Sequence, residues 1–205
     1  MQKEQIIQTA ITILDRDGLE GVTLRRLASE LGIKAASIYW HIPNKEALLD
    51  EMANAILIEH FGAFDFANDQ RDWAEWLHTL AHELRKCMLA HREGARVVAG
   101  AHPDIAVMLT KVVDLTIRVL YHNGFSYGEA GVITYTLINF TFGSVIEEQA
   151  SPPLTQLSDP NNILPHAAQF PAFVAMIDAW KLKDNDTLFD TGVQIFINGV
   201  RAKEE

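Results

Sequence analysis

The sequence predicts an all-α protein: an N-terminal helix-turn-helix head of three helices, then a larger helical body. Three observations carry that expectation. Apolar residues recur at helical spacing along most of the chain, without repeats, heptad runs or a glycine-rich phosphate loop. A small–glycine–apolar series, Ala28, Gly32 and Ile38, has the spacing that lets two short helices pack across a tight turn. At 48% hydrophobic and 21% charged, the 205 residues hold enough apolar material for a real core.

The elements follow in order. Ile7, Ala10, Ile11 and Leu14 form the apolar stripe of a first helix, which stops at Gly18. Thr23 caps a second helix with Leu27, Ala28 and Leu31 on its inner face, and Gly32 closes it by turning left-handed. A third helix runs from about 35 to 41, Pro43 breaks the chain, and Asn44 caps a fourth over 45–61. We place the head at residues 1–46 and the body at 47–205. Further helices are expected over 72–90, 93–100, 105–123, 127–150, 167–180 and 187–201. Residues 151–165, with four of the seven prolines, read as a loop. Residues 132–146 (VITYTLINFTFGSVI) have strand-like composition. Their length without a turn signal exceeds an ordinary strand, so a helix apolar all round, buried in an interface, fits better.

Charge is unevenly spread. The net charge is −10, which argues against a surface coated for nucleic acid. Between residues 23 and 45, however, Arg25, Arg26, Lys34 and Lys45 face Glu30 alone, while residues 51–205 carry 11 basic and 20 acidic side chains. A locally basic head on an acidic body permits DNA binding. No apolar run approaches the ~20 residues of a membrane span, and MQKEQIIQTA lacks a signal-peptide pattern, so a cytoplasmic location is expected. The single Cys87 fits that compartment, excludes an internal disulfide, and has no base beside it in sequence.

In a helix-turn-helix the second helix enters the DNA major groove. The stretch VTLRRLASELGIKAASIYWHIPNKEALLDEM, with Ile38-Tyr39-Trp40-His41 and Asn44-Lys45 at its heart, resembles the N-terminal domain of the tetracycline-repressor (TetR) family. A weaker likeness to the tetracycline repressors themselves continues through AHREGARVVAGAHP, NGFS and NFTFGSVIEEQ. The resemblance implies a homodimer that binds a double-stranded operator and responds to a small molecule. It assigns Tyr39, His41 and Lys45 to phosphates, with Trp40 largely buried as a brace. Arg25 is the candidate base reader, since its fork suits guanine O6 and N7. Lys34 and Ser37 remain as polar readers at the groove, Thr23 is a further expected DNA contact, and Arg26 is expected in solvent or on phosphate. Ala35 and Ala36 stand where the tetracycline repressors carry glutamine and proline, so a different operator is expected.

In the body the family's pattern breaks. Phe61, Leu80 and Leu84 stand where drug contacts are histidine, asparagine and phenylalanine, and Val98 stands at the histidine that ligates drug-bound magnesium. His102 replaces an arginine, while Pro103 and Glu147 are retained. Two extra residues between Gly100 and Gly124 leave Met108, Val112, Val113 and Thr116 loosely aligned. Each polar drug group left unmatched in a buried site costs ~1–3 kcal/mol. An apolar or aromatic inducer is therefore expected, without metal or cofactor, with His102, Thr116, Asn139 and Glu147 as polar fixtures.

Alternative readings share parts of this pattern. A transcriptional activator or a ligand-independent DNA-binding protein would use the same head. A helical enzyme or a metal sensor would use His78, His82 or Glu147. His78 and His82 have zinc-compatible i, i+4 spacing, but no third ligand is near in sequence, so a structural or solvated role is expected. His60, His91, His122 and His166 read as helix-end or surface residues. Glu147 and Glu148 are neighbours on a helix and point apart, unsuited to paired acid–base work.

Overall fold

The computed structural model describes residues 2–64, 71–102, 104–150, 169–180 and 182–202. Pro103, the expected loop 151–165, His166 and the expected helix start at 167–168 lie outside them. The helices are α1 (Lys3–Asp17), α2 (Leu24–Glu30), α3 (Ala35–Tyr39), α4 (Lys45–Phe61), α5 (Trp73–Leu89), α6 (Gly94–Ala99), α7 (Val107–His122), α8 (Tyr127–Ala150), α9 (Pro171–Trp180) and α10 (Asn185–Arg201). A 3-10 turn, Leu19–Gly21, links α1 to α2, and no strand occurs among the described residues.

Helix starts follow local chemistry. Thr23 Oγ1 accepts from the Arg26 N–H at 3.2 Å, and Asn44 Oδ1 from Ala47 at 2.7 Å. Asp72 accepts from Ala74 and Glu75, and Asp184 from Thr187. Each cap satisfies N–H groups that the first turn leaves unpaired. Hydrogen bonds from Thr187 also hold the Asp184 carboxyl below the usual range. The last helix therefore starts at Asn185, two residues earlier than expected. The strand-like stretch in α8 is helical. Thr134 and Thr141 are buried there, and their hydroxyls donate to carbonyls four residues back at 2.7 and 2.8 Å. Those bonds remove the cost of burying hydroxyls, and burial of Leu137, Ile138 and Val145 outweighs strand propensity.

Helix α4 is the spine. Its Leu48, Met52, Ala53, Ile56 and Leu57 are buried in one continuous cluster that begins at Ile6 in α1 and reaches Val145 in α8. A head of about 45 residues is too small to hold a core alone, and α4 completes it. Ile6, Ile13, Leu14, Leu27 and Ile38 are essentially inaccessible, and each contributes roughly 1.5–3 kcal/mol of apolar burial. A second cluster joins α5, α8 and α10 through Leu77, Ala81, Leu137, Phe189 and Val193. Gly192 lets α10 lie on α8: a Cβ there would stand 2.5 Å from Phe140 Cζ.

Polar contacts fasten head to body. Asp15 accepts from the Arg92 N–H at 3.1 Å and pairs with His91 at 3.1 Å. The Leu19 N–H donates to Glu93 at 2.7 Å, and Arg92 donates to the Arg16 carbonyl at 3.0 Å. Lys3 pairs with Glu51 across α1 and α4.

Candidate nucleic-acid interface and effector core

The turn between α2 and α3 is built by the backbone. Gly32 sits at φ 65, its N–H donates to the Ser29 carbonyl at 3.2 Å, and Ile33 donates to Ala28 at 3.0 Å. This is a Schellman motif, and only glycine adopts its left-handed residue without strain. Behind the turn Leu27, Ala28, Ile38 and Ile42 are buried; in front Arg25, Lys34, Ala36, Ser37, Tyr39, His41 and Lys45 are exposed, with Ala35 half-buried.

Trp40 corrects the sequence reading. It is 89% exposed rather than a buried brace. Helix α3 ends at Tyr39, and the core place behind its last turn is filled by Ile38 and Ile42. The indole is left at the end of α3, next to Tyr39, which is 53% exposed.

The cations differ in freedom. Arg26 pairs with Asp17 at 2.8 Å and Glu30 at 3.8 Å, which holds it on the head. Arg25 and Lys34 have no ion pair among the described residues, and Lys45 reaches only the Leu19 carbonyl, at 3.5 Å. Thr23 spends one lone pair on its cap and keeps its hydroxyl proton free to donate.

In the body, Phe61, Leu80, Leu84, Val98 and Val113 join the spine cluster. Thr116 borders them, accepting from Trp76 Nε1 at 3.1 Å and donating to the Val112 carbonyl at 2.8 Å. A cavity beside Phe61, Trp76 and Leu80 has room for only one water, about 10 Å³. Asn139 and Glu147 are exposed on α8 and do not reach this cluster within one chain. His102 is exposed and stands at the edge of α4.

There the chain holds a contact invisible in the sequence. Asp50 is 3% exposed, and one of its oxygens accepts from the His102 N–H at 2.9 Å. Both its oxygens lie 3.1 Å from His102 Nδ1. The hydrogen bond to Asp50, then its charge, raise the His102 pKa. The pair ties α4 to the segment that follows α6.

Other titratable groups are accounted for. Burial, reinforced by Glu59 and Glu83, pushes the Cys87 thiol up to about 12, and the thiol donates to the Ile56 carbonyl. It is not a nucleophile at neutral pH. His60 pairs with Glu83 at 2.7 Å, and His122 is exposed. Arg85 is buried and forked onto Glu148, Nε and Nη2 donating at 3.0 and 2.9 Å, with Asp186 at 2.7 Å. Glu148 is thus a structural anion, turned away from Glu147. His78 and His82 meet a third partner, Asp190, brought in by α10.

A helix-turn-helix with an exposed, cation-bearing front, tied by a spine helix to an apolar core, defines a DNA-binding regulator with an effector body. Residues 6–52 match the family described as bacterial regulatory proteins, tetR family, and residues 67–204 match the tetracyclin repressor-like C-terminal domain. The chain belongs to the tetR family of bacterial regulatory proteins. It is 35% identical over 204 residues to the class A tetracycline repressor protein from transposon 1721 of Escherichia coli, covering 99% of this chain and 92% of that one. It is similar in structure to a possible TetR family regulator from Streptomyces coelicolor A3(2), with TM-score 0.81 and 31% identity over 98% of this chain and 99% of the other. It is also similar to the Streptomyces coelicolor TetR family protein ActR in complex with (S)-DNPA, with TM-score 0.79 and 29% identity over 99% and 98% of the two chains.

Proposed function

We propose that this chain is a homodimeric transcriptional repressor that leaves a palindromic operator when a small, largely apolar molecule occupies the core between α4, α5, α6 and α7. The observation that carries the DNA half is the exposed face of the head, where Arg25 and Lys34 have no ion pair among the described residues in a chain of net charge −10. Residues 1–46 form the reading head and 47–205 the effector and dimerisation body. Arg25 reads a base edge; Lys34, Ala35, Ala36 and Ser37 lie along the groove; Thr23, Tyr39, His41 and Lys45 hold phosphates. A regulator acting on an operator works in the cytoplasm. Regulation needs no catalytic group.

Phe61, Leu80, Leu84, Val98 and Val113 offer an inducer hydrocarbon walls, with Thr116 and His102 as polar fixtures. The cluster is packed, so an inducer must move side chains to enter. The displaced neighbours include α4, whose far end carries the head. An occupied core favours a different tilt of α4 and a different distance between two heads. Reversing occupancy from 1:99 to 99:1 requires a preference of ~5.5 kcal/mol between the states.

The homodimer is supported by apolar side chains on α8 and α10. Val132 and Ile195 are each 69% exposed, and Tyr135 is 54% exposed. A monomer would leave this patch in water. Asn139 and Glu147 share α8 and meet the partner's core rather than their own.

Selection of bound duplexes from a random pool by the full chain tests the reading. We expect an enriched palindrome with half-site centres about one turn (~10–10.5 base pairs) apart. Enrichment no better than non-specific binding would overturn it.

A further inference from the structure

We propose a divalent transition-metal site, of the kind that binds zinc, formed by His78, His82 and Asp190 between α5 and α10. The inference goes beyond the regulatory reading and stands apart from the apolar core. The three ligand atoms lie within 4.8 Å of one another. His78 and His82 stand one helical turn apart, with ring centroids 4.4 Å apart. Both Nε2 atoms converge on Asp190 Oδ1, at 2.7 and 3.1 Å. In a tetrahedral site with metal–ligand bonds of ~2.0–2.1 Å, neighbouring ligand atoms stand about 3.3 Å apart. The two histidine–aspartate edges therefore lengthen by about 0.2–0.6 Å to admit an ion, and the two imidazole nitrogens, within 4.8 Å of each other, come to the same spacing.

The donor chemistry selects the ion. Two imidazoles and one carboxylate suit zinc, cobalt or nickel, whereas magnesium and calcium prefer oxygen alone. In the metal-free state one carboxylate oxygen serves two rings, so each needs its proton on Nε2; an ion takes the place of both as each ring proton moves to Nδ1. The hydrogen bond from His78, then that from His82, hold the Asp190 carboxyl below its ordinary range. All three side chains are half-buried. His78 also borders an open cleft of about 470 Å³ shared with Glu75 and Gln194, which gives access for the ion and the waters completing its shell. Arg71 and Arg201 line the same cleft, but their guanidinium groups lie over Trp76 and Trp73. Behind the triad His82 meets Phe189 edge-on at 5.2 Å, a dry wall of the second core. A bound ion staples α5 to α10, the helix that exposes Ile195.

The test uses the full chain, stripped with chelator and dialysed, titrated calorimetrically with zinc chloride and separately with magnesium chloride. We expect one zinc per chain and no comparable magnesium binding. At free zinc one hundred times Kd, the melting temperature should rise by about 5–10 °C. His78→Gln, His82→Gln and Asp190→Asn should each weaken zinc at least tenfold while keeping the wild-type circular dichroism in chelator. Should any of these variants misfold, cobalt absorption on the wild-type chain decides: bands of a four-coordinate ion, lost on adding zinc, support the site. The proposal is overturned if zinc binds only at millimolar concentration, if magnesium binds as tightly, or if the folded variants retain wild-type affinity.

Discussion

Replacing Asp50 by alanine should cost the protein about 1.5–3 kcal/mol. The carboxylate is 3% exposed and accepts the His102 backbone N–H at 2.9 Å. Hydrogen bonds to a charged acceptor are worth about that much. Water can replace the lost acceptor, because His102 is exposed, so the cavity adds little. For a chain of this size each kcal/mol moves the melting temperature by roughly 2–4 °C, giving a fall of about 3–12 °C. Differential scanning calorimetry at fixed protein concentration reads it. The pH dependence supplies an independent sign. The folded-state pKa of His102 is raised by Asp50, so its contribution is full below the unfolded value of ~6.5 and is lost as pH rises through the folded one. Wild type should therefore lose this increment on passing from mildly acid to alkaline buffer, and Asp50→Ala should not. A variant that melts within a degree of wild type, or keeps the same pH slope, refutes the tie between α4 and the segment after α6.

Further outcomes follow from the same contacts. Arg25→Ala should weaken the selected operator by ~1–3 kcal/mol and relax preference at one base pair, whereas Lys45→Ala should weaken all duplexes alike and lower the salt slope by about one, both read by fluorescence anisotropy. Trp40→Ala should change stability by less than about 0.5 kcal/mol in urea, because the indole is almost wholly exposed, yet weaken DNA binding; a loss of several kcal/mol in stability would restore the buried brace. Ile195→Asp should turn a dimer into a monomer near 23 kDa by light scattering, and an unchanged mass would move the interface off α10.

Local signals in the sequence were sufficient wherever the cause is local. Thr23 and Asn44 cap the helices they precede, and Gly32 turns left-handed where the chain needs it. Trp40 misled because hydrophobicity says that a side chain prefers burial, not that a place exists; Ile38 and Ile42 take the place available. The long-range pairings were hidden for a different reason. Asp50 and His102 are 52 residues apart, Arg85 and Glu148 are 63, and Asp190 lies 112 and 108 residues from His78 and His82. Nothing in the spacing announces such partners, because the packing of whole helices brings them together. The apolar character of Phe61, Leu80, Leu84 and Val98 was legible through their residue types. Their closed packing was not, since one chain's composition carries no record of how side chains fill the space between helices.

The claim that an apolar molecule releases this repressor from DNA is tested most directly by anisotropy of a labelled operator already bound by the full chain. Into that complex are titrated, separately, tetracycline with magnesium and a panel of uncharged aromatic compounds. The hydrocarbon walls of Phe61, Leu80, Leu84 and Val98 predict release by a member of the panel at micromolar concentration, unaffected by chelator. Release by tetracycline that needs magnesium, with the panel inert, would contradict the account.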